Sequence, residues 1–263
     1  MADRWSSGTA YEGYVGRWSR KVARKFVPWV AAAPQSRWLD VGCGTGALTS
    51  AILALADPGS VVGVDPSAAY VDHVRSVVTD PRAEFGVGDA LALGRDDGEF
   101  DAVVSGLVLN FVPDPAAGLT EMQRVARAGA TVAAYVWDYG RGMEMVRHFW
   151  DAAVDHDAAA AHAEEGTRFP LCQPEPLAAL FAAAGLTGIV TDAIVVPTVF
   201  ADFDDFWTPF LGGQGPAASY AMSLSEDARA ELRELIRSRL PADSTGAIPL
   251  TARAWAVRGT VTR

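Results

Sequence analysis

The chain has 263 residues, half of them apolar and 21% charged, which is enough material for a sizeable core. A net charge of −10 argues against a nucleic-acid backbone as the main partner, since phosphate binding needs a Lys/Arg surface. Two cysteines, Cys43 and Cys172, cannot build a disulfide framework, no Cys/His spacing suggests a metal site, and no run approaches the roughly 18 apolar residues of a membrane span.

In chain order, residues 1–18 are rich in aromatic side chains (Trp5, Tyr11, Tyr14, Trp18), and 19–32 is expected to form a helix. Together 1–32 is read as an N-terminal helical lid, in which Tyr11 and Tyr14 either close over a ligand or dock as core. From residue 37 the pattern alternates strand and helix: strand 37–41, helix 46–56, strand 60–65, helix 67–78, strand 83–88, strand 100–106, helix 115–127 and strand 130–137. The near-continuous apolar strand 100–106 is what a parallel sheet covered on both faces requires. The rhythm then breaks into an Ala-rich helical stretch over 141–165, a helix over 173–184 stopped by Gly185, and a strand over 188–197. An aromatic, loop-like segment over 201–216, a helix over 224–238 and a last strand near 250–260 close the chain. No internal repeat or low-complexity linker interrupts it, so 1–263 is expected to be a single α/β domain. Its core would be a Rossmann-like, doubly wound, mostly parallel seven-stranded sheet. The segments 140–172 and 201–222 would be cap insertions on the substrate side.

The densest information lies in Trp38-Leu39-Asp40-Val41-Gly42-Cys43-Gly44-Thr45-Gly46, a strand ending in a carboxylate and a triple-glycine turn ahead of a helix. Glycines there let a ligand approach bare backbone, and the helix start offers unpaired N–H groups. Gly42, Gly44 and Ala47 also satisfy the looser dinucleotide pattern, which leaves an NAD(P)-dependent oxidoreductase as an alternative. Asp40 argues against it. A carboxylate beside the turn repels a pyrophosphate, and no Lys or Arg lies between Asp40 and Arg75 to neutralise one. S-adenosylmethionine, with an adenosine, an ammonium, a sulfonium and no phosphate, fits better, with Asp40 receiving the methionine amine. Asp65, 21 positions after Gly44, ends the second strand, where it can accept both ribose hydroxyls or cap the helix beginning at Pro66-Ser67.

With these motifs in order, the chain resembles the class I S-adenosylmethionine-dependent methyltransferases, in their small-molecule branch. Leu39 to Gly46 matches the first motif of that family; Val61-Val62-Gly63-Val64-Asp65-Pro66-Ser67 resembles the second and Gly88-Asp89-Ala90 the third. Phe100 to Ser105, continuing through Asn110 to Pro115, resembles the fourth, and Glu121 to Ala130 a later one, with Ala128 where proline is commoner. The resemblance covers residues 37–137. It implies a cofactor site of Asp40, Gly42, Cys43, Gly44, Gly46, Asp65, Pro66, Asp89, Ala90 and Ser105, with Asp89 accepting the adenine amino group beside the Ala90 backbone. Cys43 reads as a small spacer, since its neighbours offer no base.

The remainder matches no family motif, and its candidates are read from residue type alone. Asn110 leaves the fourth strand near the expected methyl position, and Trp137 ends the fifth. Phe206 and Trp207 either line an apolar substrate pocket or pack as a helical stripe. His148, among Met145, Phe149 and Trp150, is a candidate general base or an ordinary histidine, and Asp138 is its rival. The function read here is methyl transfer from S-adenosylmethionine to a small-molecule O, N or C nucleophile in the cytoplasm, with no metal and no membrane or nucleic-acid partner. A methyltransferase-like protein that binds the cofactor without transfer, as a cyclase or regulator, is the other alternative. The oligomeric state is open.

Overall fold

The computed structural model describes residues 16–212 and 215–262, so Tyr11 and Tyr14 lie outside the described residues. Its first elements are α1 (Arg17–Val30), β1 (Arg37–Val41), α2 (Ala47–Leu55), β2 (Ser60–Asp65), α3 (Ala68–Val77), β3 (Ala83–Val87), β4 (Phe100–Gly106), α4 (Pro115–Val125) and β5 (Ala126–Trp137). There follow α5 (Glu144–His156), α6 (Glu165–Arg168), α7 (Pro174–Ala183), β6 (Thr187–Phe200), α8 (Phe203–Trp207), α9 (Gly215–Ser223), α10 (Glu226–Arg239) and β7 (Ile248–Thr260). These fall into two compact units. Among the described residues the first holds 19–136, 173–194 and 255–262, and the second 16–18, 137–172, 195–212 and 215–254.

The seven strands run in the order β3-β2-β1-β4-β5-β7-β6. The pairs β1–β2, β2–β3, β1–β4 and β4–β5 are parallel. As β5 advances from Gly129 to Asp138 its hydrogen-bonded partner on β7 falls from Val261 to Arg253, so β7 is antiparallel to β5 and the sheet is mixed. In the first unit the central strands are buried almost end to end, with Trp38, Leu39, Val61, Ala102, Val103, Val104, Val132 and Ala133 in the core. Phe26 of α1 lies 4.7 Å from Tyr135 of β5, ring centre to ring centre. The chain reverses its direction of travel across the sheet between β1 and β4. Parallel strands put their carboxyl ends at one edge, so the loops after β1, β2, β3 and β4 all emerge there.

Most boundaries fall within two residues of those expected, and the exceptions have local causes. β5 starts at Ala126 rather than 130, because Ala126 pairs with Phe100 across an irregularity that Gly129, at φ 78°, accommodates. Gly185, at φ 82°, stops α7 as expected. The Ala-rich stretch is divided at Asp157, whose carboxylate accepts the Ala159 N–H at 2.9 Å and starts a separate 3-10 turn over Ala158–Ala163. The loop expected over 201–216 is instead mainly helical. Asp202 caps α8 by accepting the Asp205 N–H at 2.8 Å, and Phe203, Phe206, Trp207 and Phe210 then recur at helical spacing.

The second unit has its own core of rings. Phe149 stacks on Phe210 at 4.6 Å, Phe206 meets Phe200 at 5.2 Å, and Trp150 lies 5.5 Å from Tyr220. Buried among them is one carboxyl group, Glu165. It accepts the indole N–H of Trp150 and the Ala217 amide in the first turn of α9. Burial pushes its pKa up to about 7. Between the ordinary carboxylate range and that value the folded chain holds a proton that the unfolded chain has released. The stabilisation is therefore full below the unfolded pKa and is lost as pH rises through about 7. Glu165→Gln, which mimics the protonated acid, should accordingly gain melting temperature relative to the parent as pH rises from 5 to 8. A thermal-shift series over that range checks it, and a constant difference at every pH contradicts it.

Candidate functional site

The glycine turn after β1 is folded by three successive left-handed positions, Gly42 (φ 77°), Gly44 (φ 50°) and Gly46 (φ 86°). Each has a different neighbour. A Cβ on Gly42 would press into the methyl groups of Val108, with Cγ1 only 2.9 Å away, and one on Gly46 would meet Val74 Cγ2 at 2.6 Å. A Cβ on Gly44 meets nothing within 4 Å. Gly42 and Gly46 are thus glycine because the protein packs against them, while Gly44 presents bare backbone to open space. Cys43 sits over Gly63 of β2, and burial together with the charges of Asp40 and Asp65 pushes its thiol far up, so it serves as a spacer rather than a nucleophile.

Two carboxylates bracket the turn. Asp65 accepts the Gly44 N–H at 3.0 Å through Oδ2 and the Ser67 N–H at 2.9 Å through Oδ1, so one side chain ties the β1 turn to the start of α3. Burial raises its pKa, and the two N–H bonds pull it down. Each oxygen keeps a lone pair for a further donor. Pro66 carries the chain from Asp65 to Ser67, whose hydroxyl accepts the Tyr70 N–H and caps α3. The Val64 carbonyl accepts the N–H groups of both Gly42 and Cys43, at 2.8 and 3.0 Å, which fixes the turn from the other side.

Asp40, expected to receive the methionine amine, is fully buried near the end of β1, and its Oδ2 accepts the Thr49 hydroxyl at 2.6 Å. Oδ1 is also buried and has no donor among the described residues. Burial, with a smaller push from Asp65, raises the pKa to about 7 against the pull of Thr49. Thr49 was not singled out from the sequence. It is nine residues from Asp40, and only the strand–turn–helix geometry brings the two together.

The third and fourth expected positions are also in the first unit. Asp89 is exposed and accepts the Leu91 N–H at 2.9 Å, forming a tight turn that carries Ala90. Ser105 differs from its expected ligand role: it is buried and donates its hydroxyl to the Val41 carbonyl at 2.9 Å, locking the ends of β4 and β1 together. Leu107 follows at φ 66°, an uncommon conformation for a leucine, and leads into the 3-10 turn Leu109–Phe111 that holds Asn110.

The remaining candidates belong to the second unit. Trp137 is buried. Phe206 and Trp207 are buried in the ring core described above, which replaces the expectation that they line an open pocket. Asp138 is held in an ion pair with Arg253, at 2.8 Å to Nε and 2.6 Å to the second guanidinium nitrogen, and accepts the Arg141 N–H at 2.9 Å. That is the geometry of a structural clasp, with little capacity left for a general base. His148 on α5 is half-buried, and burial lowers its pKa against the raising influence of Glu144 and Asp151, so the imidazole is neutral at pH 7.

The turn fits S-adenosylmethionine better than a dinucleotide. Open backbone at Gly44, an orphaned buried oxygen on Asp40, spare acceptor capacity on Asp65 and no Lys or Arg from 41 to 74 suit hydroxyl and ammonium donors. Comparison with known proteins agrees. Residues 39–134 match the family described as a methyltransferase domain. A demethylmenaquinone methyltransferase of Roseiflexus sp. (strain RS-1) is 45% identical over 104 residues, 39% of this chain and 44% of that protein. A 2-methyl-6-phytyl-1,4-hydroquinone methyltransferase of Synechocystis sp. is 31% identical over 185 residues, 69% of this chain and 57% of that protein. The chain thus spans about half the length of the curated relatives it matches. Phosphoethanolamine N-methyltransferase 2 of Haemonchus contortus, solved with S-adenosyl-L-methionine, shares the fold at a TM-score of 0.57 and 17% identity, over 97% of this chain and 57% of that one.

The packing at Gly42 makes a direct test of the turn. Gly42→Ala should cost about 2–4 kcal/mol in chemical denaturation, from the left-handed backbone plus the collision with Val108. Adding Val108→Ala should restore the steric part only. Full recovery in the double variant would mean that backbone conformation contributes nothing.

Proposed function

Because residues 39–134 match the family described as a methyltransferase domain, we propose that this chain is a class I S-adenosylmethionine-dependent enzyme that transfers a methyl group to a small-molecule acceptor. The observation that carries the reading is one of charge: two buried carboxylates, Asp40 and Asp65, bracket a glycine turn that has no cation in its sequence neighbourhood. A diphosphate would find no cation to neutralise it there, whereas an aminoacyl nucleoside brings the donors those oxygens lack. When bound, the cofactor supplies a methyl carbon already made electrophilic by a sulfonium.

The residues of the chain then have separable tasks. Asp65 accepts the ribose hydroxyls through its spare lone pairs while holding Gly44 in place. Asp89 and Ala90 receive the adenine edge, and Gly44 provides the surface against which the tail lies. Acceptor choice is assigned to residues beyond 134, where the matched domain has ended. Of the two candidate bases, His148 suits the task and Asp138 does not, because the carboxylate of Asp138 is already neutralised by Arg253. A carboxylate, thiolate or neutral amine acceptor would need no base at all, whereas a phenol would.

Hydroquinones are the first acceptor class to test, since the similarity to the hydroquinone methyltransferase runs well beyond residues 39–134. Loss of the phenolic proton to His148 would push electron density onto the oxygen, leaving it as the nucleophile, while the cofactor would supply the electrophilic methyl group. The chain's two cysteines are both buried and are not joined in a disulfide, which suits a reducing compartment and supports a cytoplasmic setting.

Mass spectrometry should detect S-adenosylhomocysteine when the protein is incubated with S-adenosylmethionine and a panel of hydroquinones, catechols and amines. Asp65→Ala should weaken cofactor binding at least tenfold by calorimetry. Absence of S-adenosylmethionine binding, with NADH bound instead, would refute the proposal. With a phenolic acceptor, His148→Ala should lower kcat more than it raises KM. The acidic limb it removes should lie below pH 6.5, because a base must be deprotonated and the pKa of this one is depressed.

A further inference from the structure

Asp40 is the one buried acid of the turn whose hydrogen bonding is incomplete. Its cross-strand neighbours in register are Gly63 on β2 and Val104 on β4, neither of which has a polar side chain. From the helix side Thr49 donates to Oδ2 at 2.6 Å, and Oδ1 has no donor among the described residues. The other charged group acting on it is Asp65, which repels it, and the nearby Cys43 thiol stays protonated. A carboxylate buried this way, without a cation and with one oxygen lacking a donor, is pushed toward its protonated form, against the pull of the Thr49 hydroxyl and backbone N–H. Its position directly before the glycine turn means that a cation arriving there changes that balance through the field it exerts, whether or not it touches the oxygen.

We propose that Asp40 and Thr49 form a proton-coupled element of the cofactor site: Asp40 keeps a proton until the ammonium of the aminoacyl tail arrives, then releases it, with Thr49 as the residue that positions the carboxyl. The proposal rests on the reading of this turn as the S-adenosylmethionine site. Only the carboxyl O–H bond breaks; its electron pair stays on the oxygen, the proton passes to solvent, and the ligand is unchanged. The consequence is that cofactor affinity falls as pH drops below neutrality, independently of any base used in catalysis. Thr49 sets where that happens, because its hydroxyl stabilises the ionised form.

The test is calorimetric titration with S-adenosylhomocysteine, which keeps the ammonium but cannot react, in two buffers of unlike ionisation enthalpy between pH 6 and 8.5. With the acid titrating at about 7, binding should release about half a proton at pH 7, close to one at pH 6 and almost none at 8.5. 5′-Methylthioadenosine, which lacks the aminoacyl tail, should release none, and neither should Asp40→Asn. Thr49→Val should weaken S-adenosylhomocysteine about tenfold at pH 7 and extend proton release to pH 8, while Thr49→Ser should behave as the parent. If Asp40→Asn does not fold, the Thr49 pair decides the matter alone. Binding of S-adenosylhomocysteine with the same enthalpy in both buffers at every pH overturns the coupling and leaves the cofactor reading standing. Failure of both nucleosides to bind overturns the cofactor reading and the coupling with it.

Discussion

The hydrogen bonds of Asp65 bind two loops that belong to different strands. One oxygen holds the Gly44 amide in the turn after β1, and the other holds the Ser67 amide at the start of α3. The shape of this edge of the first unit follows from the bridge. It sets the left-handed turn at Gly44 facing open space, it anchors Ser67, the residue that caps the second crossover helix, and it leaves a buried carboxylate with spare lone pairs at the carboxyl edge of a parallel sheet. A sheet that places strand ends side by side makes such a bridge possible. The register Val41↔Val64 brings the two loops within reach of a single short side chain.

The same edge shows a division between residues that build the site and residues that are left available to it. Gly42, Gly46 and Ser105 are committed to the protein, the glycines by packing against Val108 and Val74 and the serine by donating to the Val41 carbonyl. Gly44, Asp65 and Asp40 each keep something in reserve: open backbone, unused lone pairs, an oxygen without a donor. A buried carboxyl that lacks a partner costs free energy, and such costs are retained where a ligand relieves them. Under the proposed function, a turn with no Lys or Arg from 41 to 74 leaves phosphates without a counter-charge, while its unfilled acceptors suit an ammonium.

How far the sequence could be read depended on the range of the interactions involved. The strands β1, β2 and β4 were legible almost to the residue, because an apolar run bounded by Gly, Pro or Asp carries its own limits. The segment 201–216 misled for the opposite reason. Its Asp and Gly-Gly content suggests a loop, yet Asp202 acts as a cap and the aromatic residues at helical spacing bury together. Phe206 and Trp207 looked like pocket walls because an aromatic cluster in a sequence cannot reveal whether its rings face a ligand or one another.

From the amino-acid order alone came the alternation of strand and helix, the glycine turn with its flanking acids, and the family that this order resembles. All of these are local patterns, set by side-chain periodicity, backbone freedom at glycine and the spacing of a few carboxylates. Tertiary structure decided which acid faces solvent and which is enclosed. It showed that Asp40 is enclosed and partnered by Thr49, that Asp138 is claimed by Arg253, and that β7 runs against β5. The physical reason is that burial and pairing depend on residues distant in the chain. A carboxylate acquires its pKa, and a ring its neighbours, only when the fold has brought those residues together.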